Sequence, residues 1–353
     1  MKKKIEINPT RACNFRCKYC YEQNVSNAYD TSLKMSDEVI ERLIEYIRWE
    51  YPRISYADQL TLVFYGGECL LGSDVIDKII SSLAPYDIRY NFSTNGSLVD
   101  SNKDLLLKWK DLAGRHNIDI GISYDYFLQE QNRCKNTYSK VRDAIRWLDS
   151  NNFIYQTNTV FPKENLKDFI PTFEDYLQLQ KELKHPYLFK CNIDNGRASS
   201  CNLQITYDDL VKISEPIQQY FIAHPEYINN ISWKMKNTRV RNCGLGWRVI
   251  CGVDYDGSVY PCNGSIFMKP IVDLQYGSIF DDFFKLNEKR SELLNKLPWH
   301  ITNKCRYCPN ICTACPLNTI KSSIKEFNKQ PSNDFCKTMG LLSRIIPIRD
   351  NYE

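Results

Sequence analysis

Three cysteines packed into eight residues constrain this chain more than any other feature. Cys13-Asn-Phe-Arg-Cys17-Lys-Tyr-Cys20 has C-x3-C-x2-C spacing and directly follows a strand-like run, Ile5-Glu6-Ile7-Asn8. Thiolates are the ligands of iron–sulfur clusters, and a cubane cluster has one iron more than three thiolates can cap. That iron is open to a substrate or cofactor. A zinc site usually shows paired C-x2-C units and a fourth ligand. Buried or zinc-bound cysteines are the competing reading of this stretch.

The whole chain carries 15 cysteines in 353 residues, an odd number. Its N-terminus lacks an apolar signal segment, and no stretch approaches the ~18–20 apolar residues of a membrane span. The expectation is a cytoplasmic protein without membrane attachment, where thiols stay reduced and cysteines serve metals or clusters rather than a disulfide framework. A net charge of +4 is too small an excess to argue for nucleic acid. The Lys2-Lys3-Lys4 run reads as a solvated terminus.

From the start to about residue 195, strand-like runs at 3–8, 59–65, 88–94, 118–123, 153–161 and 187–193 alternate with helical patterns. Those patterns fall at 37–49, 74–83, 102–112, 137–149 and 164–181, with another after Tyr207. Ser36 is placed to cap the first helix, with Asp37 and Glu38 in its first turn. Six βα units in succession predict a parallel sheet with helices outside. In barrels of that kind the chemistry sits at the C-terminal ends of the strands. The cysteine loop follows the first strand. The second strand ends in Gly66-Gly67-Glu68-Cys69, whose glycines allow close approach of backbone to a ligand. The third ends in Ser93-Thr94-Asn95-Gly96 and the fourth in Ser123-Tyr124-Asp125. Arg133 follows shortly, and Asn158 lies on the fifth strand.

The stretch from Cys13 to Cys20 resembles the cluster loop of the radical S-adenosylmethionine (radical SAM) enzymes. The resemblance implies a partial (β/α)6 TIM-type barrel. It also implies a [4Fe-4S] cluster on Cys13, Cys17 and Cys20, whose open iron chelates SAM. Gly66, Gly67 and Glu68 resemble the family's Gly-Gly-Glu-Pro motif, which holds the SAM amine, with Cys69 in place of the proline. Thr94 and Asn95 resemble its Thr-Asn-Gly. Ser123 and Asp125 resemble its Ser-x-Asp, whose serine approaches the SAM carboxylate and ribose. By the same resemblance Tyr19 lies over the adenine. Arg133 is a candidate partner for the carboxylate, since a guanidinium suits bidentate pairing, and Asn158 a candidate for the ribose or methionine.

The C-terminal third carries Cys243-x7-Cys251-x5-Gly257-x4-Cys262, then Cys305-x2-Cys308-x3-Cys312-x2-Cys315, then Cys336. Runs at 249–253 and 258–260 flank Asp254-Tyr255-Asp256-Gly257, a hairpin signal that would bring Cys251 and Cys262 together. Eight cysteines suffice for two fully ligated clusters. The region resembles the SPASM domain, which carries two auxiliary [4Fe-4S] clusters in radical SAM enzymes that modify peptides and proteins. Its usual C-x2-C-x5-C-x3-C has both later gaps shortened here. Carried over, Cys243, Cys251, Cys262 and Cys315 hold the first auxiliary cluster and Cys305, Cys308, Cys312 and Cys336 the second. A zinc site on Cys305, Cys308, Cys312 and Cys315 is the alternative. Cys69, Cys134, Cys191 and Cys201 are left over as unligated packing cysteines. The expected division is a barrel at 1–200, a helical bridge at 201–240 and a SPASM domain at 241–353.

The resemblance implies a SAM-cleaving oxidoreductase whose 5′-deoxyadenosyl radical abstracts hydrogen from a residue of a ribosomally made precursor peptide. Its first expected product is an intramolecular side-chain crosslink (carbon–carbon, ether or thioether). The alternatives are formylglycine formation as in anaerobic sulfatase maturases, peptide epimerisation, or a cluster- or zinc-binding interaction protein without turnover. Sulfatase maturases carry an aspartate base beside an auxiliary-cluster cysteine. Here Asn263 follows Cys262 and cannot take a proton at neutral pH. Asp254, Asp256 and Tyr21 are the remaining candidates for catalytic groups. The expected partners are the precursor peptide, a reducing donor such as flavodoxin or ferredoxin, and a separate leader-binding protein.

Overall fold

The computed structural model describes residues 2–24, 29–55, 58–114, 117–193, 207–233, 249–267 and 273–296. Cys201, Cys243, Cys305, Cys308, Cys312, Cys315 and Cys336 lie outside the described residues, so the expected second half of the auxiliary-cluster region is not among them.

Ten strands make one sheet: β1 Lys2–Ile7, β2 Gln59–Phe64, β3 Ile88–Thr94, β4 Ile118–Ser123, β5 Ile154–Phe161, β6 Phe189–Ile193, β7 Ile231–Trp233, β8 Val249–Val253, β9 Ser258–Tyr260 and β10 Gly277–Ser278. Their spatial order is β10-β9-β8-β1-β2-β3-β4-β5-β6-β7. From β1 to β7 every neighbouring pair is parallel, as the βα alternation predicts. The helices are α1 Asp37–Glu50, α2 Ser73–Leu83, α3 Lys103–Ala113, α4 Gln129–Asn132, α5 Tyr138–Ser150, α6 Phe169–Gln180, α7 Tyr207–Ala223, α8 Asn263–Ile266 and α9 Phe283–Lys296. Ser36 caps α1 as expected, its hydroxyl accepting from the Val39 amide at 3.3 Å.

One face of the sheet is apolar and covered by helices. Alternate strand residues such as Tyr90 and Phe92 on β3 are buried in one cluster with Ile76 and Ile80 of α2 and Trp109 of α3. Trp109 stacks on Phe92, and its indole N–H donates to Asp77 at 2.9 Å, so the ring is buried without an orphaned donor. The opposite face is polar and half-buried: Arg89, Asn91 and Ser93 on β3, Asp119 and Ser123 on β4, Gln156 and Asn158 on β5. Period-two alternation makes this division, because each strand turns successive side chains to opposite faces.

The sheet runs beyond the six expected strands at both edges. At the far edge β7 adds beside β6. At the other edge the C-terminal hairpin adds. β8 lies parallel to β1, with Ile5 opposite Cys251 and Ile7 opposite Val253, and the Asn8 amide donates to the Val253 carbonyl at 2.9 Å. The turn after β8 therefore reaches the same sheet edge as the cysteine loop after β1. Among the described residues no helix is long and apolar enough to cross a membrane.

The hairpin docks through Gly252, where a Cβ would sit 2.7 Å from the Cys262 carbonyl carbon. Gly252→Ala is expected to cost about 1–3 kcal/mol through overpacking against backbone. A Cβ on Gly264 meets only the Cys262 sulfur at 3.8 Å, an ordinary contact. Gly264→Ala is therefore the control, and thermal unfolding of the two variants compares them.

Candidate active site at the C-terminal edge of the sheet

Cys13, Cys17 and Cys20 lie in the loop leaving β1, each half-buried. Burial raises all three thiols, Cys17 to about 12, and the Arg133 guanidinium opposes the rise at Cys17. Metal ligation deprotonates a thiol outright. Among the described residues no three histidine, cysteine or acidic side chains close on a single metal ion. Three thiols at this spacing on one short loop match the ligand set of a cubane cluster with one open iron.

The loop is held from three sides. Asn14, inside the motif, donates to the Ser97 hydroxyl and accepts from the Asn95 side-chain amide, both at 2.8 Å. The Lys18 amide donates to the Asn132 carbonyl at 2.9 Å. At the root of the loop, the Ala12 carbonyl accepts from the Glu68 amide at 2.7 Å, and the Thr10 carbonyl from the Gly67 amide at 3.2 Å. This last contact accounts for the paired glycines. A Cβ on Gly66 would strike the Thr10 carbonyl oxygen, and one on Gly67 the carbonyls of Arg11 and Ala12. Gly66 also has φ +100°, which favours glycine. The close approach expected for a ligand is thus used by the chain's own backbone.

Glu68 is fully buried and ties the β2 and β3 ends together. It accepts from the Thr94 hydroxyl at 2.6 Å, the Asn95 amide at 2.6 Å and the Leu70 amide at 3.1 Å. Burial raises its carboxyl, while these donors pull the other way. Cys69, where proline was expected, is buried with its sulfur 3.3 Å from the Ser93 carbonyl oxygen. Ser123 and Asn158 pair across β4 and β5 and share the half-buried polar face.

Asp125 is the hub of the third side. It faces Arg133 through two contacts of 3.1 Å, accepts from the Val160 amide at 3.0 Å and accepts from the Tyr19 hydroxyl at 2.5 Å. The Arg133 guanidinium lies 5.2 Å from the Tyr19 ring centroid and 4.0 Å, through Nη1, from the Cys17 sulfur. Burial works against the arginine's charge, but Asp125, Tyr19 and Cys17 outweigh it. Burial likewise holds the Tyr19 phenol well above its ordinary range.

The candidate catalytic groups come out differently from the expectation. Asp254 is buried and bound by Arg11, whose Nε donates to it at 3.2 Å and whose Nη2 contacts its other oxygen. Asn8 adds a third contact at 3.4 Å. Both oxygens of Asp254 are thus engaged by Arg11 and Asn8. Asp256 accepts from the Ser258 amide at 2.9 Å and serves the turn. Tyr21 packs edge-on against Phe267 at 5.0 Å, joining the cysteine loop to the hairpin segment.

Cys251 lies in the middle of β8 and Cys262 just before α8. Gly252 faces the Cys262–Asn263 backbone, and its neighbour Cys251 must point to the other face. There Cys251 is fully buried, 3.9 Å from the Tyr46 hydroxyl of α1.

Residue-type reasoning overlooked Arg11, Asn14, Glu6 and Glu22. Glu6 accepts from the Asn263 amide at 2.7 Å. Glu22, buried beside Arg11 and Asp254, is pushed up to about 8 by burial, with Arg11 opposing. Asn14 and Glu22 border the motif itself, which was the available signal. Arg11 and Glu6 look like ordinary surface charges until their partners are known. A groove lined by Phe127, Tyr138, Pro171, Glu174, Asp175 and Gln178 lies at α5 and α6, away from this loop.

With this geometry in place, the comparisons with known proteins can be set beside it. Residues 7–176, from the end of β1 into α6, match the model described as the Radical SAM superfamily. These residues, just under half of the chain, form a radical SAM domain, the domain of a SAM-dependent enzyme. It is 25% identical to a cysteine-type anaerobic sulfatase-maturating enzyme of Clostridium perfringens, over 89% of this chain and 92% of that one. It is also 25% identical to an uncharacterized protein of Archaeoglobus fulgidus, over 95% of this chain and 79% of that one. The structure of anSMEcpe with bound AdoMet superposes with a TM-score of 0.64 over 97% of this chain and 98% of that one, at 17% identity. That likeness speaks for the fold.

Two outcomes follow from the packing. Glu68→Ala leaves three buried donors without an acceptor and is expected to cost about 1–3 kcal/mol for each, read as a lowered denaturation midpoint. Asp254→Ala strands the buried Arg11 charge and is expected to cost about 3–5 kcal/mol. Asp254→Ala combined with Arg11→Leu should recover part of that loss in the same measurement.

Proposed function

We propose that this chain is a radical SAM maturase that removes a hydrogen atom from a side chain of a peptide or protein substrate. The observation that carries this reading is the meeting of the cysteine loop and the β8–β9 turn on one sheet edge, which leaves room for a substrate beside the proposed cofactor loop. When bound, the cluster and SAM would supply a 5′-deoxyadenosyl radical. The chain's own residues bind, orient and shield. Cys13, Cys17 and Cys20 would hold three irons. Asn14, through Asn95 and Ser97, keeps the loop in register with the β3 end. Ser123 and Asn158 offer adjacent polar groups on the half-buried face. Tyr21 against Phe267 shields one side from water.

Crosslinking of a ribosomally made precursor peptide is the first reading. Asn263 occupies the place of the expected base, and Asp254 is neutralised by Arg11. Oxidation of a cysteine to formylglycine is the second, favoured by the near full-length similarity to cysteine-type sulfatase-maturating enzymes. A low-potential flavodoxin or ferredoxin, a separate leader-binding protein and a cytoplasmic setting complete the proposal.

We read Cys251 as a packing cysteine under α1. Cys243, Cys262, Cys305, Cys308, Cys312, Cys315 and Cys336 then remain for auxiliary clusters, one thiolate short of two full sets. Cys251→Ala should keep the iron content of the purified protein, and Cys262→Ala should lower it. Equal iron loss in both variants would restore Cys251 as a ligand.

The activity test is anaerobic incubation of the purified protein with SAM, a reductant and a candidate peptide. Wild-type protein should release 5′-deoxyadenosine, and the variant with Cys13, Cys17 and Cys20 all changed to alanine should release none. Release by that variant would refute the central assignment. The mass of the peptide separates the products. Loss of two hydrogens, with fragmentation blocked across a segment, marks a crosslink. Exchange of sulfur for oxygen with loss of two hydrogens marks formylglycine.

A further inference from the structure

Arg133 was expected to grip the carboxylate of SAM, and its surroundings point elsewhere. A guanidinium grips a carboxylate through two parallel N–H groups. In Arg133 the Nη2 donates to one oxygen of Asp125 at 3.1 Å, and Nε lies 3.1 Å from the other without hydrogen-bonding to it. Asp125 cannot swing away cheaply, because the Val160 amide and the Tyr19 hydroxyl also hold it. The remaining nitrogen, Nη1, is 4.0 Å from the Cys17 sulfur. The backbone repeats the same tie one residue away, where the Lys18 amide donates to the Asn132 carbonyl at 2.9 Å. Two independent contacts thus clamp the α4 end to the middle of the cysteine loop. Both Arg133 and Asp125 are buried, so water screens their fields weakly.

We propose that Arg133 is a positioning residue for the cluster loop: paired with Asp125, it turns Nη1 to Cys17 and raises the reduction potential of the cluster bound there. The proposal rests on the radical SAM reading of Cys13, Cys17 and Cys20. Reduction adds one electron, delivered by a low-potential donor, and makes the thiolate sulfurs more electron-rich. A positive donor beside one of those sulfurs stabilises the reduced form more than the oxidised one. The Asp125 carboxylate lies across the guanidinium and offsets part of the effect. The two residues should therefore move the potential in opposite directions.

The test is an anaerobic redox titration of the full-length, iron-reconstituted protein without SAM, followed by electron paramagnetic resonance. The signal to follow is the one missing from Cys17→Ala. Arg133→Gln is expected to make its midpoint more negative, Arg133→Lys to do so less, and Asp125→Asn to make it more positive. A midpoint equal to wild type in Arg133→Gln overturns the proposal. So does an unchanged midpoint accompanied by weaker SAM binding in calorimetry, which would return Arg133 to the carboxylate. If Arg133→Gln takes up no iron, Arg133→Lys decides by the same criterion. If Cys17→Ala loses no signal at all, the radical SAM reading of the loop fails instead, which is a separate result.

Discussion

β1 is hydrogen-bonded on both sides, to β2 and to β8, and the rest of the molecule follows from that double pairing. A strand paired on one side only could slip or turn, and a one-residue slip would exchange the two faces of the sheet. With both neighbours in place, the end of β1 delivers the cysteine loop to a single position. The β2 end packs backbone to backbone against the root of that loop, which is why two glycines stand at 66 and 67. The β8 end brings Asp254 up to Arg11 on the other side. Sequence neighbours supply the loop's shape, and strand neighbours supply its place.

Burial of charge is the second organising constraint. The site edge holds Arg11, Glu22, Glu68, Asp125, Arg133 and Asp254 in buried positions. An unpaired charge there would cost several kcal/mol. Asp254 is matched to Arg11 and Asp125 to Arg133, while Glu68 is satisfied by hydroxyl and amide donors. Glu22 leaves its Oε2 without a hydrogen-bond partner among the described residues, and burial raises its carboxyl with Arg11 opposing. The arrangement leaves few free acids or bases at this edge, which suits a reaction whose difficult step is hydrogen-atom transfer.

Much of the fold was legible in local patterns. The helical periodicity, the Ser36 cap and the alternation on β3 and β5 are properties of short windows, and most elements appear within a residue or two of the expected places, while α6 starts at Phe169 after a 3-10 turn rather than at 164. The hairpin residues 249–253 and 258–260 were equally plain. The site was legible where a motif carried it: Asn95, Asp125 and Arg133 do converge on the cysteine loop. It was not legible for Arg11, 243 residues from its partner, or for Asp254, whose place beside a turn suggested exposure. No window of sequence contains both halves of that pair.

The sequence by itself determined the spacing of Cys13, Cys17 and Cys20, the βα alternation that puts their loop at a strand end, and the turn chemistry of the hairpin. These are set by neighbours within a few residues, where propensity and steric limits act directly. Only the tertiary structure decided which face Cys251 takes, that the hairpin extends the sheet beside β1, and that Arg133 pairs with Asp125. Those outcomes depend on pairing register and on which buried charges meet, and both arise from contacts between segments far apart in the chain.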